Sequence, residues 1–453
     1  MIKVDVCVIG AGSGGLSVAA GAVQMGASVA LIEADKMGGD CLNTGCVPSK
    51  ALLYGAAKGM GWDAAHAHMR EVIAQIEPHD SQERFEELGV QVFRGFGRFT
   101  ALRELEVNGE KIRARRFVIA TGSRPLVPDV PGMDEVGALT NETIFDLKEK
   151  PAHLLILGGG PIGMEMAFAH NRMGSQVTVV EAARALGRED AEAAELVLDR
   201  ARAEGITIAE GAEAVRLRKQ AGEIELTTSD GRNFTGSHLL VAVGRKPNVD
   251  GLGLDAAGVL LEGGAIRVNA GLRTSNRRIY AIGDVNGGPQ FTHAAGYQAG
   301  VIIRSMLFAL PAKARTDHIP RAIYTDPELA QIGSTEAEAR AEHGDKLEVV
   351  RFGYAGNDRA IATERTPGFI KVMVLKGRPI GATIVGDSAG EYIGLWSLAI
   401  ASKLKMSAIA GMVVPYPTLS EINKRAAGAY FSPRLFDNPR VKRAVRLIAR
   451  LVP

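Results

Sequence analysis

The sequence has little cysteine: three residues in 453, at Cys7, Cys41 and Cys46. So few in such a length exclude an extracellular disulfide scaffold and suit a reducing compartment. A zinc reading of the Cys41/Cys46 pair needs further ligands, and the remaining cysteine lies inside the apolar run Val6-Cys7-Val8-Ile9, so no metal site is expected. His66, His68 and His79 fall in a charged, mostly helical stretch over 54–88 and read as solvated helix residues. The net charge is only +2, which points to neither nucleic acid nor an acidic partner. No uninterrupted apolar stretch is long enough to span a bilayer, and no signal-peptide pattern precedes the strand-like run Ile2-Lys3-Val4-Asp5-Val6; a cytoplasmic protein is expected.

What the chain has in quantity is glycine, 54 residues, with 46% hydrophobic content. That suits an α/β protein with many tight turns, and the length calls for two to four domains. A buried-strand pattern over Val4–Ile9 ends in Gly10-Ala11-Gly12-Ser13-Gly14-Gly15, followed by a small-residue helix, Gly26, and a second strand ending in Glu33. This is a dinucleotide-binding fingerprint in its full context: Gly10 for the turn, Gly12 for approach of a pyrophosphate, Gly15 for helix packing, and Glu33 for ribose hydroxyls. The unit returns at Gly158, Gly160, Ile162, Gly163, Gly174 and Glu181, with a constant offset of 148 for the glycines and the acid. Two nucleotide domains are therefore expected. Each is echoed by a strand ending in a glycine turn, Ala120-Thr121-Gly122-Ser123-Arg124-Pro125 and Ala242-Val243-Gly244-Arg245-Lys246-Pro247.

Only the first copy carries the insertion Gly38-Gly39-Asp40-Cys41-Leu42-Asn43-Thr44-Gly45-Cys46-Val47-Pro48-Ser49-Lys50. Disulfide-bonded α-carbons lie about 4.4–6.8 Å apart, closer than a regular helix brings residues five apart. A tightened turn is needed, and Asn43 and Gly45 permit one. Pro48 suits the first turn of a following helix, which places Cys46 near a helix N-terminus where a thiolate is favoured, with Lys50 adding positive charge.

With every fixed position of G-G-x-C-x-N-x-G-C-x-P-x-K matched, the chain resembles the class I pyridine nucleotide-disulfide oxidoreductases, which include glutathione reductase, dihydrolipoamide dehydrogenase and mercuric reductase. The resemblance extends to about Phe431. It implies an α/β fold of two doubly wound, Rossmann-like domains plus an α+β dimerisation domain. The FAD domain is expected over 1–148 and 247–316, the NAD domain over 149–246 and the interface domain over 317–432. By resemblance FAD is held by Gly10, Gly12, Ser13, Gly14, Gly15, Glu33, Lys50, Gly97, Thr121, Gly122 and Asp284. NAD is held by Gly158, Gly160, Ile162, Gly163, Glu181 and Gly244. Glu181 should favour NADH over NADPH, since a carboxylate accepts from a ribose hydroxyl and repels a phosphate, with Arg184 softening the choice. The resemblance further makes Cys46 the thiolate stacked on the flavin, Cys41 the exchanging thiol, and Glu165 the partner of the Lys50 charge.

One departure stands out. The family's interface domain ends in His-Pro-Thr-x-x-Glu and completes the partner subunit's site; this chain reads Tyr416-Pro417-Thr418-Leu419-Ser420-Glu421. A histidine with a pKa of about 6.5 exchanges protons with a thiol at neutral pH, whereas a tyrosine at about 10 is a poor base. Mercuric reductases resemble the chain in having tyrosine there, and the run Gly187-Arg188-Glu189-Asp190 fits them too, but they also carry a C-terminal cysteine pair that this chain lacks. The expected function is a homodimeric, FAD-dependent NAD(P)H oxidoreductase acting on a small-molecule disulfide or a thiol-bound metal substrate. The alternatives are a dihydrolipoamide dehydrogenase acting on lipoyl groups and a membrane-associated flavin redox relay. The tail, 433–453, is basic and amphipathic; it reads as a solvated helix docked on the dimer, with peripheral membrane contact or a protein partner as alternatives.

Overall fold

The structure, a computed structural model, describes residues 1–452. The chain forms two compact units: Met1–Arg184 with Gly205–Arg315, and Ala185–Glu204 with the described residues from Thr316 on.

In the first unit, β1 (Ile2–Ile9) is central because Val6, Cys7, Val8 and Ile9 are all buried, so both of its faces are covered. Such a run is the mark of a parallel strand sandwiched between layers. It pairs in parallel with β2 (Val29–Glu33), which pairs onward with β3 (Gln91–Arg94). On its other side lies β6 (Glu110–Ile119), whose first residues pair antiparallel with β5 (Glu104–Val107), which in turn pairs antiparallel with β4 (Arg98–Ala101). The last residues of β6 pair in parallel with Ile279–Ala281. Helix α1 (Ser13–Gln24) packs against the helix Thr292–Leu307, and its small residues allow this: a Cβ on Gly21 would stand 2.6 Å from Ile303 Cδ1.

A second parallel sheet orders Thr207–Ala209, Gln176–Val180, His153–Leu157 and His238–Val241, beside a three-stranded antiparallel sheet. The two repeated glycine turns meet. Ser123–Pro125 runs antiparallel to Arg245–Pro247, with Arg245 opposite Pro125. This short ladder brackets the stretch of chain that carries the second nucleotide fold.

One expectation is corrected here. His79 is exposed and His68 half-buried, but His66 is 2% exposed, with its Nδ1 3.1 Å from the Trp62 carbonyl and its ring 3.9 Å from the Trp62 ring. Trp62, Ala65, His66 and Met69 form the buried stripe of the helix Trp62–Asp80, at helical spacing, and the charge of its other faces hid that stripe in the sequence. Among the described residues no cluster of His, Cys, Asp or Glu could hold a metal ion.

The second unit is built on a five-stranded antiparallel sheet ordered Arg321–Ile323, Glu328–Gly333, Arg378–Gly386, Phe369–Leu375 and Leu347–Gly353. Trp396, fully buried, donates from Nε1 to Asn423 Oδ1 at 2.7 Å and ties two of the covering helices together. The helix Ala191–Ala203 belongs to this unit, although it lies in sequence between strands of the first. Its buried face of Ala193, Ala194, Val197, Leu198 and Ala201 packs there, and charge pairs fasten it. Asp190 caps that helix and meets the buried ammonium of Lys371 at 3.1 Å, while Glu189 pairs with Arg321 at 2.9 Å. Removing one partner of such a buried pair costs about 3–5 kcal/mol. The run Gly187–Asp190 thus works as a clamp on the second unit's sheet. No helix among the described residues is long and apolar enough to cross a membrane.

Candidate active site

The cysteine segment folds as two short helices with a break between them. Helix α2 (Gly39–Asn43) carries Cys41, and α3 (Cys46–Ala57) opens on Cys46. Gly45 is required at the break, because a Cβ there would lie 2.9 Å from the Asp40 carbonyl oxygen. Gly39, at φ +59°, would likewise drive a Cβ to 2.8 Å from Gly12 Cα. The Gly38 N–H donates to the Ala11 carbonyl at 3.0 Å, fastening the turn to the first nucleotide loop. Asn43 Nδ2 closes the turn by donating to the Met37 and Gly39 carbonyls at 3.0 and 2.8 Å.

The two residues are free thiols and hydrogen-bond to each other. That bond is the main reason the Cys46 pKa is lowered to about 6; burial opposes the shift, while the Thr292 hydroxyl, 3.4 Å from Cys46 Sγ, and the Lys50 ammonium support it. Cys41 moves the other way, because its proton is held by the Cys46 sulfur and burial adds to the effect. The pair therefore shares one proton at neutral pH, with the charge on Cys46. Lys50 lies one helical turn beyond Cys46, its Nζ 2.7 Å from Glu165 Oε2, a carboxylate only 6% exposed. The structure thus brings together the four residues Cys41, Cys46, Lys50 and Glu165.

A pH dependence follows. In the reduced protein, alkylation of Cys46 by iodoacetamide should rise with pH through a midpoint near 6 and be flat above it, as the lowered pKa requires. Thr292→Val should move the midpoint upward. A wild-type midpoint at the ordinary thiol value of about 8.5 contradicts this charge distribution.

Both glycine loops form cradles that fit a dinucleotide. A Cβ on Gly10 would sit 2.4 Å from the Ala120 carbonyl oxygen, and one on Gly158 2.5 Å from that of Ala242, so each loop is pressed onto the strand beside it. Gly12 and Gly160, by contrast, would meet nothing within 4 Å; the space above them is open, at helix N-termini that no side chain caps. Such a terminus receives a pyrophosphate. Ser13, Gly14 and Gly15 form the first turn of α1, and Ile162 and Gly163 the first turn of the Pro161–Arg172 helix. Glu33 accepts from the Ala11 N–H at 2.6 Å, and Glu181 from the Gly159 N–H at 2.7 Å, so each acid is fixed against its own loop. Gly122 and Gly244 likewise leave open space, whereas Gly97 packs on Ile32 and Leu105. Thr121 donates to the Asn248 carbonyl at 2.7 Å.

Asp284 lies in a network that sequence reasoning missed. Arg245 forms an ion pair with Asp40, donates from Nε to Ser123 Oγ at 2.7 Å and from Nη1 to Asn141 Oδ1 at 3.2 Å. Ser123 in turn donates to Asp284 Oδ2 at 2.6 Å, and burial holds the Asp284 pKa above the usual carboxylate range. Asn141 Nδ2 donates to the Thr44 carbonyl at 3.1 Å, within the break between the two cysteines. Arg245 stands in the second glycine-turn echo, where only Gly244 drew attention. On the Cys41 side a cavity of about 350 Å³ is walled by Ser13, Leu42, Asp80, Arg84 and Thr292. Burial raises the Asp80 pKa.

Tyr416 and Glu421 belong to the second unit. Tyr416 is 68% exposed and donates to Asp358 Oδ2 at 2.7 Å; that hydrogen bond raises its pKa further. Glu421 pairs with Arg425 at 2.9 Å.

Residues 4–299 match the family model described as pyridine nucleotide-disulphide oxidoreductase, and residues 319–427 match its dimerisation domain. The chain is 34% identical over 448 residues to a mercuric reductase of Lysinibacillus sphaericus, covering 93% of this chain and 82% of that enzyme. It is 33% identical over 442 residues to a dihydrolipoyl dehydrogenase of Bacillus subtilis, covering 91% and 96%. Among solved structures it resembles the Cu(II) complex of the HOCl-induced flavoprotein disulfide reductase RclA from Escherichia coli, with a TM-score of 0.89, 29% identity, and coverage of 94% and 99%.

Proposed function

The chain belongs to the pyridine nucleotide-disulphide oxidoreductase family of flavoproteins, and from that premise we propose that it reduces a disulfide or a thiol-bound metal ion through Cys41 and Cys46. The observation that carries this reading is the shared proton of the two thiols, which makes one a stable thiolate and leaves the other to exchange. The first glycine loop, with Gly12 open above the N-terminus of α1 and Glu33 fixed beside it, would hold FAD, which would supply the two-electron link between a nicotinamide and the cysteine disulfide. Lys50 and Glu165 hold a fixed ion pair one turn from Cys46 and keep positive charge beside its sulfur. The disulfide takes up two electrons and one proton to become the Cys41 thiol and the Cys46 thiolate. Once deprotonated, Cys41 attacks the substrate from the cavity it lines. With a disulfide substrate a mixed disulfide forms, and Cys46 then attacks Cys41 to release the second substrate thiol and restore the internal bond.

Tyr416 favours the thiol-bound metal among these substrates, because its hydroxyl is committed to Asp358 and offers no base for a lipoyl thiol. A second reading, turnover of lipoyl groups, is favoured by the 33% identity to a dihydrolipoyl dehydrogenase and by the retained Glu421. Parallel steady-state assays of NADH with lipoamide, glutathione disulfide and mercuric ion test the two. Turnover fastest with lipoamide overturns the first.

NADH is the proposed reductant. Glu181 is fixed at the second loop by backbone N–H groups at 2.7 and 2.9 Å and would stand against a 2′-phosphate as a like charge. kcat/KM should favour NADH by at least about tenfold, and Glu181→Ser should narrow the gap. Equal values in the wild type contradict the assignment.

A further inference from the structure

We propose that the tail helix Pro439–Leu451 lies in the interface of an anionic phospholipid bilayer and holds the enzyme at a membrane surface. The helix has a well-defined start: Pro439 at its first position and Asn438 Oδ1 accepting from the Arg440 N–H at 3.0 Å. At 100° per residue, Val441, Ala444, Val445, Ile448 and Leu451 share one face, and Lys442, Arg443, Arg446 and Arg450 share the opposite one. A helix with that pattern in a globular protein buries its apolar face. This one buries no residue: Val445 and Ile448 are 58% and 57% exposed, and Leu451 is 72% exposed. Leu435 and Phe436, just before it, are exposed as well.

Charge selects the occupant. The last 21 residues hold six basic residues against Asp437 alone, a charge of +5, so the remainder of the +2 chain carries −3. Arg434 is paired with Glu348, but among the described residues none of Arg440, Lys442, Arg443, Arg446 and Arg450 is in an ion pair. Two tails packed together would set these cations against each other. Nucleic acid would neutralise them but leave the apolar face in water. An anionic bilayer satisfies both faces at once, the side chains of one face entering the acyl boundary and those of the other meeting headgroup phosphates. The helix, 13 residues long, rises about 20 Å, too short for a hydrocarbon core of about 30 Å. It therefore lies in the plane of the surface and does not cross it.

The test is co-sedimentation of the full-length holoenzyme with vesicles of phosphatidylcholine alone and of phosphatidylcholine with phosphatidylglycerol. Binding is expected to the second kind only and to weaken with added salt. Arg443→Gln with Arg446→Gln should weaken it about thirtyfold, and Val445→Glu with Ile448→Glu should abolish it. Flavin content and NADH oxidation should be unchanged in both, which separates loss of binding from misfolding. Failure to bind phosphatidylglycerol vesicles, or equal binding to both kinds, overturns the proposal. So does a change from dimer to monomer in the Val445→Glu/Ile448→Glu protein by light scattering, which would make the face a contact between copies of this chain.

Discussion

Cys41→Ser protein should lose turnover with any disulfide substrate by at least about a thousandfold, because the nucleophile that forms the mixed disulfide is gone. The same protein should show, before any NADH is added, the long-wavelength thiolate-to-flavin absorbance that the wild type gains only on two-electron reduction. The reasoning runs through the shared proton. Cys46 has its pKa lowered to about 6 chiefly by the hydrogen bond from Cys41, with Thr292 and Lys50 contributing. A serine hydroxyl still donates at that place, so Cys46, deprived of its disulfide partner, should remain a thiolate at neutral pH. Cys41→Ala removes the donor as well, and its band should appear only at higher pH. Cys46→Ser should lack the band at every pH. Anaerobic spectra of the three variants, taken across pH before and during titration with NADH, read all of this. A Cys41→Ser protein that kept disulfide turnover, or a Cys46→Ser protein that kept the band, would reverse or remove the roles assigned to the two sulfurs.

The cysteine turn was legible in the sequence because its constraints are local: Gly38, Gly39 and Gly45 stand where backbone conformation or a close approach requires glycine, and Cys46 follows at a helix start. The nucleotide loops were legible for the same reason, reinforced by their repetition at a fixed offset. The Lys50–Glu165 pair was reached only through the family resemblance, since the two residues are 115 apart. Thr292 and Arg245 were missed as site residues. Thr292 meets Cys46 across 246 residues, and Arg245 meets Asp40 across 205. Arg245 sits in the second glycine-turn echo, but the spacing of that echo says nothing of Asp40, and nothing in the spacing around Thr292 points to Cys46. The helix Ala191–Ala203 has an ordinary amphipathic pattern, and its membership of the second unit depends on partners far along the chain, Lys371 and Arg321 among them. His66 was misread because composition averages over a helix, while burial follows one stripe of it.

Tyr416→His should raise turnover with free dihydrolipoamide at neutral pH by about a hundredfold to ten-thousandfold, the usual contribution of a general base. Tyr416 is a poor base as it stands: Asp358 accepts its proton in a 2.7 Å hydrogen bond, and the carboxylate raises its pKa above the ordinary tyrosine value. Tyrosinate is therefore scarce near pH 7. An imidazole at the same position would titrate near neutrality, and the neighbouring carboxylates of Asp358 and Glu421 would favour its protonated form. The loop needs no rebuilding, since Pro417, Thr418 and Glu421 are those of the family pattern and the Thr418 hydroxyl already closes the turn on the Pro415 carbonyl at 2.8 Å. Because Tyr416 is exposed, the exchange should cost little stability, and the kinetic gain should not be masked by unfolding. Tyr416→Phe separates the explanations. If the hydroxyl is inert toward lipoyl groups, Tyr416→Phe should match the wild type with dihydrolipoamide, while any role of the hydroxyl toward a metal ion appears as a loss with mercuric ion alone. A Tyr416→His protein with no gain, beside a Tyr416→Phe protein that lost all lipoamide turnover, would make the tyrosine itself the working group and reject the account of a missing base.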